Sequence, residues 1–245
     1  MNSRTDYYII SETGSRSYNE DSAVQKACKD REVFAVADGL GGCGAGDIAS
    51  SAAVRTVVET FEKQTSINSE ELLEKVFYSA QDKVLSLQKT EKAHHEMAST
   101  LTVLLLEGGS AQWAHIGDTR LYMFRNGEVL YQTKDHSVPQ MLVNMGEMEP
   151  EEIRYHPDRS RLLSVVGRQW NGKVFSVSPK VRIKKGDAFL LCSDGFWELI
   201  EEKQMCSKLL ETSNAAHWVE KMKSVVLKNG RGKNMDNLTA LAVRI

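Results

Sequence analysis

At 245 residues the chain is long enough for one large domain or two small ones, and no linker interrupts it, which predicts a single domain over residues 1–245. Hydrophobic content of 41%, charged content of 26%, 17 Gly and only 4 Pro exclude disordered and fibrous classes. A net charge of −2 gives no electrostatic reason to expect nucleic acid or an anionic membrane as partner.

In chain order, short runs rich in β-branched and aromatic residues predict strands at about 7–11, 33–37, 100–106, 112–116, 120–124, 128–132, 174–183, 188–192 and 238–245. After the second of these come two consecutive helical patterns. Val54, Val57, Val58 and Phe61 share one face, and Leu73, Val76, Phe77, Ala80, Val84 and Leu87 continue a stripe over four turns. Residues 137–159 read as helical and irregular, and a second helix pair is expected at about 201–210 and 214–227, where Trp218, Met222, Val225 and Val226 share a face. Helices that come in pairs after blocks of strands argue against a parallel βαβ sheet. The expected fold is α+β, an antiparallel β-sandwich with helices packed on its outer faces. Residues 1–14 hold no basic segment leading into an apolar core, and the strongest apolar run, 101–106, is too short to span a bilayer. A cytoplasmic protein is expected.

Cys28, Cys43, Cys192 and Cys206 show no C-x-x-C spacing and read as free thiols. None is followed six residues later by Arg, those positions being Phe34, Ala49, Glu198 and Thr212. That removes the local cysteine-arginine cradle of a cysteine-dependent phosphatase.

Three apolar runs finish on an aspartate, at Asp38-Gly39, Asp118 and Asp194-Gly195, and Asp236 stands just before the last strand. Carboxylates at the rim of a sheet can converge even when distant in sequence, and such a cluster is tolerable only if protons or cations neutralise it. All-oxygen ligands suit Mg²⁺ or Mn²⁺ rather than zinc. Asp-Gly is also a common hairpin turn, but a hairpin needs a strand on both sides, and a helical pattern follows Asp38-Gly39 and Asp194-Gly195. The run from Gly39 to Gly44 satisfies G-x-G-x-x-G, yet the dinucleotide-binding unit requires a second parallel strand after one helix. Two helices follow here, and no Walker lysine follows Gly46. The glycines instead let the backbone pass close to a metal or anion, with the Gly39 carbonyl available as a ligand.

Together these residues resemble the PPM family, the type 2C metal-dependent serine/threonine protein phosphatases. Gly14-Ser-Arg16-x-x-Asn19-Glu20-Asp21-Ser22 is similar to the family's first motif and Ala37-Asp38-Gly39-Leu-Gly-Gly-x-Gly-x-Gly46 to its second. Ser99-Thr100-Leu-Thr, Gly117-Asp118-Thr119-Arg120, Thr133-Lys-Asp135-His136-Ser137, Ser193-Asp194-Gly195 and Asp236-Asn237-Leu-Thr239 follow in the family's order. The segment from Asn144 to Gly167 resembles the flap of bacterial members.

The resemblance implies a sandwich flanked on both outer faces by helix pairs, and two core Mn²⁺ or Mg²⁺ ions with a possible third. It also implies that these ions activate a water to attack a phosphate ester in line, without a phosphoenzyme. Asp38 would bridge the two core ions. Gly39 through its carbonyl and Glu20 through a water would complete one site, Asp194 and Asp236 the other, and Asp118 with Asp194 a third. Arg16 would bind the substrate phosphate, a role that suits a planar, permanently charged guanidinium. Asp21 and Asn237 would support the ligands. Some members carry His directly after the second motif's Asp-Gly as general acid; here Leu40 stands there, and His136 and His156 are candidates by motif proximity only. His94 and His95 are expected to face solvent. Phosphorylated protein substrates of a serine/threonine kinase are the implied partners, in signal transduction, with the chain a monomer. The alternatives are a catalytically inactive PPM-like regulatory or binding domain and a nucleotide-binding protein.

Overall fold

The computed structural model describes residues 5–41, 45–90 and 96–245; Gly42, Cys43, Gly44, His94 and His95 of the preceding section lie outside them. Two antiparallel sheets carry the fold. One has the order β1(Asp6–Glu12), β12(Leu238–Arg244), β11(Ala188–Cys192), β7(Arg120–Arg125), β8(Glu128–Gln132), and the other β10(Val181–Arg182), β6(Ser110–Ile116), β5(Leu101–Glu107), β3(Arg31–Leu40), β2(Asp21–Cys28). Two-residue β4(Ala98–Ser99) pairs with β3, and β9(Ser176–Val177) pairs with β6.

The alternation of side chains along each strand sorts the apolar residues into three layers. Phe34, Val36, Leu104 and Trp113 from one sheet meet Leu121, Met123, Phe189, Leu191, Leu241 and Val243 from the other, forming the dry middle of the sandwich. Val33, Ala35, Ala37, Val103 and Leu105 point the opposite way, onto α1(Gly46–Lys63) and α2(Ser69–Thr90). On the far side Tyr122, Phe124, Leu190 and Ala240 pack under α5(Glu202–Leu210) and α6(Ala215–Asn229). Of the predicted helix stripes, Val54, Val57, Phe61, Leu73, Val76, Phe77, Ala80, Val84, Trp218, Met222 and Val226 are buried, while Val58, Leu87 and Val225 are half-buried at the margins. Each such side chain stabilises the fold by roughly 1.5–3 kcal/mol. Helix α3(Val138–Met145), a 3-10 helix at Pro150–Tyr155 and the one-turn α4(Asp194–Trp197) complete the elements. Cys28, Cys192 and Cys206 are free thiols. Among the described residues no helix is long and apolar enough to cross a membrane.

Two features depart from the sequence reading. The run 174–183 is not one strand but the short β9 and β10, separated at Ser178-Pro179-Lys180 because proline cannot donate to a ladder. Strand β2 was not expected. It pairs with β3 from Asp21 opposite Asp38 to Cys28 opposite Arg31, yet it holds one β-branched residue, Val24, and its hairpin turns through Lys29 at φ 57° rather than through Gly or Asn. Pairing with the open edge of β3 makes it a strand.

Candidate active site

The antiparallel order brings one end of many strands to the same rim. Strand β3 ends beside the start of β2, so Asp38 lies directly opposite Asp21. β6 ends and β5 begins there too, and the turn from β6 to β7 passes from one sheet to the other carrying Asp118. In the facing sheet, β11 ends on Cys192 between Arg120 of β7 and Ala240 of β12, which delivers Asp194 next to the residues leading into β12. β1 ends opposite the first residue of β12, so the loop bearing Arg16 meets Asp236. Acids from positions spread over the chain thereby share one end of the sandwich.

Hydrogen bonds lock this rim. The Ser193 hydroxyl donates to Asp21 Oδ2 at 2.7 Å and accepts from the Thr239 amide at 3.0 Å, tying the two sheets together beneath the acids. The Asp38 amide donates to Thr100 Oγ1 at 2.8 Å, and the Asp38 carbonyl accepts from the Thr100 amide at 2.9 Å. Trp197 Nε1 donates to the Asp118 carbonyl at 3.0 Å, while the Trp197 ring lies 3.5 Å from the Arg120 guanidinium, itself paired with Asp135 at 2.8 Å. Asn237 is the clamp of the Arg16 loop. Its side-chain carbonyl accepts from the Glu20 amide at 2.8 Å, and its NH₂ donates to the carbonyls of Thr13 at 2.9 Å and Tyr18 at 2.8 Å. Asn237→Ala is therefore expected to lower kcat/KM by roughly tenfold to a hundredfold, measured beside a manganese titration; unchanged values for both would contradict the clamp.

The two glycines flanking the loop that was read as a decoy are there for space. A Cβ on Gly39 would stand 2.1 Å from the Gly46 carbonyl oxygen, and one on Gly46 would stand 2.7 Å from Glu20 Oε1. Glu20 Oε1 accepts from the Gly46 amide at 3.2 Å. The backbone of the second motif is thus pressed against the first, and β3 is followed by two helices with no parallel strand, the arrangement a dinucleotide site lacks.

The electrostatics are those of an anionic cluster. Burial, then the neighbouring charges of Asp21, Asp194, Asp118 and Asp236, push the Asp38 carboxyl well above the ordinary range. Asp194 is raised likewise by burial and by Asp118, Glu198, Asp236 and Asp21. Burial raises Asp118 to about 7, with Asp135 adding to the effect. It raises Asp21 to about 6 against the lowering influence of its hydroxyl donors. Asp21 Oδ1 is buried without a hydrogen-bond partner, which leaves an acceptor that a cation would satisfy. Oxygen-only donors, mutual repulsion and this orphaned atom fit hard divalent cations. Among the described residues no three His, Cys, Asp or Glu side chains stand close enough together to hold a metal ion as they are placed. Arg16 is exposed and donates to Asp236 Oδ2 at 2.7 Å, and a cavity of about 500 Å³ opens over Arg16, Asp194 and Asp236.

Of the two histidines proposed from motif proximity, His136 is not poised as an acid. His136 Nδ1 accepts from the Gly117 amide at 3.2 Å, its Nε2 lies 3.0 Å from the Ser176 hydroxyl, and the ring stacks on His115 at 4.7 Å. Burial and the neighbouring imidazole push it down to about 4. His156 Nδ1 accepts from the Asp158 amide at 3.1 Å. The sequence reading did not single out the bridging hydroxyl of Ser193, although its place immediately before Asp194 was a signal. It also passed over Arg159, which pairs with Glu198 at 2.6 Å beside Asp194.

The family model of Protein phosphatase 2C matches residues 11–237, a span that holds every one of these acids. The chain belongs to the protein phosphatase 2C family. Among curated members of that family it is similar to the serine/threonine phosphatase stp of Listeria innocua, at 30% identity over 233 residues, 93% of this chain and 90% of that one. The crystal structure of the Mycobacterium tuberculosis serine/threonine phosphatase PstP/Ppp superposes with a TM-score of 0.85 at 27% identity, covering 98% of both chains. The PstP catalytic domain in complex with two manganese ions superposes with a TM-score of 0.78 at 26% identity, covering 98% of this chain and 97% of that one. These protein phosphatase 2C structures share the sandwich flanked by helices described above.

Proposed function

We propose that the chain hydrolyses phosphoserine and phosphothreonine monoesters on proteins, as one phosphatase domain spanning residues 1–245 and dependent on Mn²⁺ or Mg²⁺. The observation that carries this is the gathering of Asp21, Asp38, Asp118, Asp194 and Asp236 at one rim beside Arg16, with burial and mutual repulsion raising four of them. Asp38, between the two sheets, would be shared by a core pair of ions; Glu20 and the Gly39 carbonyl would help hold one of them, Asp194 and Asp236 the other, and Asp118 with Asp194 would hold a third. Bound there, the cations supply Lewis acidity and bring the pKa of a water toward neutrality.

The chain's own groups do the rest. Arg16 engages Asp236 through Nη2, and its remaining N–H groups are free to grip phosphate oxygens as a planar fork. Asn237 and Gly14 fix that loop; a Cβ on Gly14 would stand 2.1 Å from the Asp236 carbonyl oxygen. Leu40 offers no proton to the leaving alkoxide, and His136 is neutral at pH 7, so the proton comes from water or from another group at the rim. Phosphate monoesters are among the slowest substrates to hydrolyse unaided, which explains why so many charges serve one reaction. The substrates are products of a serine/threonine kinase, and the protein acts as a monomer in cytoplasmic signal transduction.

The direct test is turnover of an aryl phosphate and of a phosphothreonine peptide with Mn²⁺, then with chelator. Manganese-dependent hydrolysis is expected; NAD binding without turnover would overturn the reading. Asp118→Ala is expected to lower turnover while two manganese ions remain bound, read from anomalous scattering; loss of both would contradict the role given to Asp118.

A further inference from the structure

We propose that a second cavity beside the catalytic one receives an anionic side chain of the substrate, carboxylate or phosphate, flanking the phosphoresidue that is hydrolysed. This rests on the phosphatase reading of the neighbouring site. The second cavity measures about 360 Å³ and shares Arg154, Tyr155, Glu198, Leu199 and Lys233 with the catalytic cavity. The two are therefore continuous along one wall, and a peptide whose phosphate faces Asp194 and Asp236 can lay a neighbouring side chain in the second.

The charge of that wall decides what it accepts. Its carboxylates are already engaged: Glu198 with Arg159 at 2.6 Å, and Glu201 with the backbone at the start of α5, which it caps. Beyond the wall, Glu202 takes Arg154 Nη2 at 2.9 Å and Asp236 takes Arg16 at 2.7 Å. Lys233, exposed and three residues before Asp236, has no ion-pair partner among the described residues. The Arg154 side chain is only 9% exposed, its guanidinium lies 5.5 Å from the Trp197 ring, and Nη1 is buried with no hydrogen-bond partner. A buried guanidinium N–H without an acceptor is costly and marks an anion-binding position. Lys233 is thus, among the described residues, an unpaired cation on this wall, with the acceptor-less Nη1 of Arg154 enclosed in the same wall, while Glu198 is held by Arg159 and Glu201 by the helix backbone; the partly enclosed setting strengthens the attraction for an anion. Tyr155, 74% exposed on the shared wall, gives the intervening backbone an aromatic surface to lie on.

Three phosphothreonine peptides that differ only in the flanking residue, Gln, Glu or phosphoserine supplied as its non-hydrolysable phosphonate, separate the possibilities. With Mn²⁺, KM for the Glu or phosphoserine peptide is expected to be about fivefold below that for the Gln peptide at low salt, and the ratio to shrink at 0.5 M salt as screening shortens to about 4 Å. Preference for phosphoserine alone identifies a second phosphate as the ligand; equal preference identifies any anion. Lys233→Gln should bring the ratio near one, and Lys233→Glu should invert it. Equal KM values in the unaltered protein, or a preference that survives both substitutions, would overturn the inference. Turnover of an aryl phosphate in the same preparation tests the underlying reading separately. If that fails, the ratio is read instead from Kd by fluorescence anisotropy of the labelled peptides, and the same ratios decide.

Discussion

Asp38→Asn is expected to lower manganese-dependent turnover of a phosphothreonine peptide on the order of 10³-fold or more and, in the presence of chelator, to raise the melting temperature. The two effects have one origin. Asp38 stands between Asp21 on its own sheet and Asp118, Asp194 and Asp236 beyond; burial, and then the charges of all four, push its carboxyl upward. An amide of the same shape removes the charge that cations need, and with it the repulsion that the metal-free fold carries. The Asp38 amide and carbonyl, which hold Thr100, are untouched, so the local backbone survives. Chelated unaltered protein that melts higher than the variant would contradict the account, as would retained turnover.

The second large effect is on stability against pH without metal. Asp21 is held at about 6 and Asp118 at about 7, both above the ordinary 3.8. A carboxyl raised on folding binds more protons in the folded state than in the unfolded one. Its stabilising contribution is therefore complete below about pH 4 and is lost as pH rises through the folded-state values. Asp21 alone accounts for on the order of 3 kcal/mol over that range. Between pH 5 and pH 8 the melting temperature of chelated protein should fall by roughly 10 °C. Saturating manganese should reverse the trend, since the ions bind the deprotonated cluster. A metal-free melting temperature that is flat or rises over this interval would show that burial and neighbouring charge do not raise these carboxyls on folding.

The reading from sequence reached the acids because strands buried on both faces are nearly continuous apolar runs. In such a run the first acid marks the rim, and Asp38, Asp118 and Asp194 each occupy that place. The helix pairs were legible for a similar reason: Val57, Phe61, Leu73 and Phe77 repeat at helical spacing because one face of each helix covers a sheet. What stayed hidden depends on partners distant in the chain. β2 is a strand only because β3 lies beside it, and its turn at Lys29 lacks the glycine that would have announced it. Pro179 divides a run that otherwise reads as one strand. Roles for Glu20 and Asn237 came from family likeness, not from pattern. The hydroxyl bridge of Ser193, the Arg16–Asp236 pair and the open donors of Arg154 and Lys233 are matters of side-chain direction, which spacing does not encode.

Strand β12 lies inside its sheet, between β1 and β11, and the two residues before it, Asp236 and Asn237, anchor the arginine loop that begins at residue 13. A growing polypeptide that has not yet released β12 from the ribosome therefore has an unpaired gap between β1 and β11 and an arginine loop without its anchor. The site cannot act before β12 has emerged and paired, so the first turnover must wait for segments more than 200 residues apart to find each other, the kind of distant closure that sets a slow clock on folding.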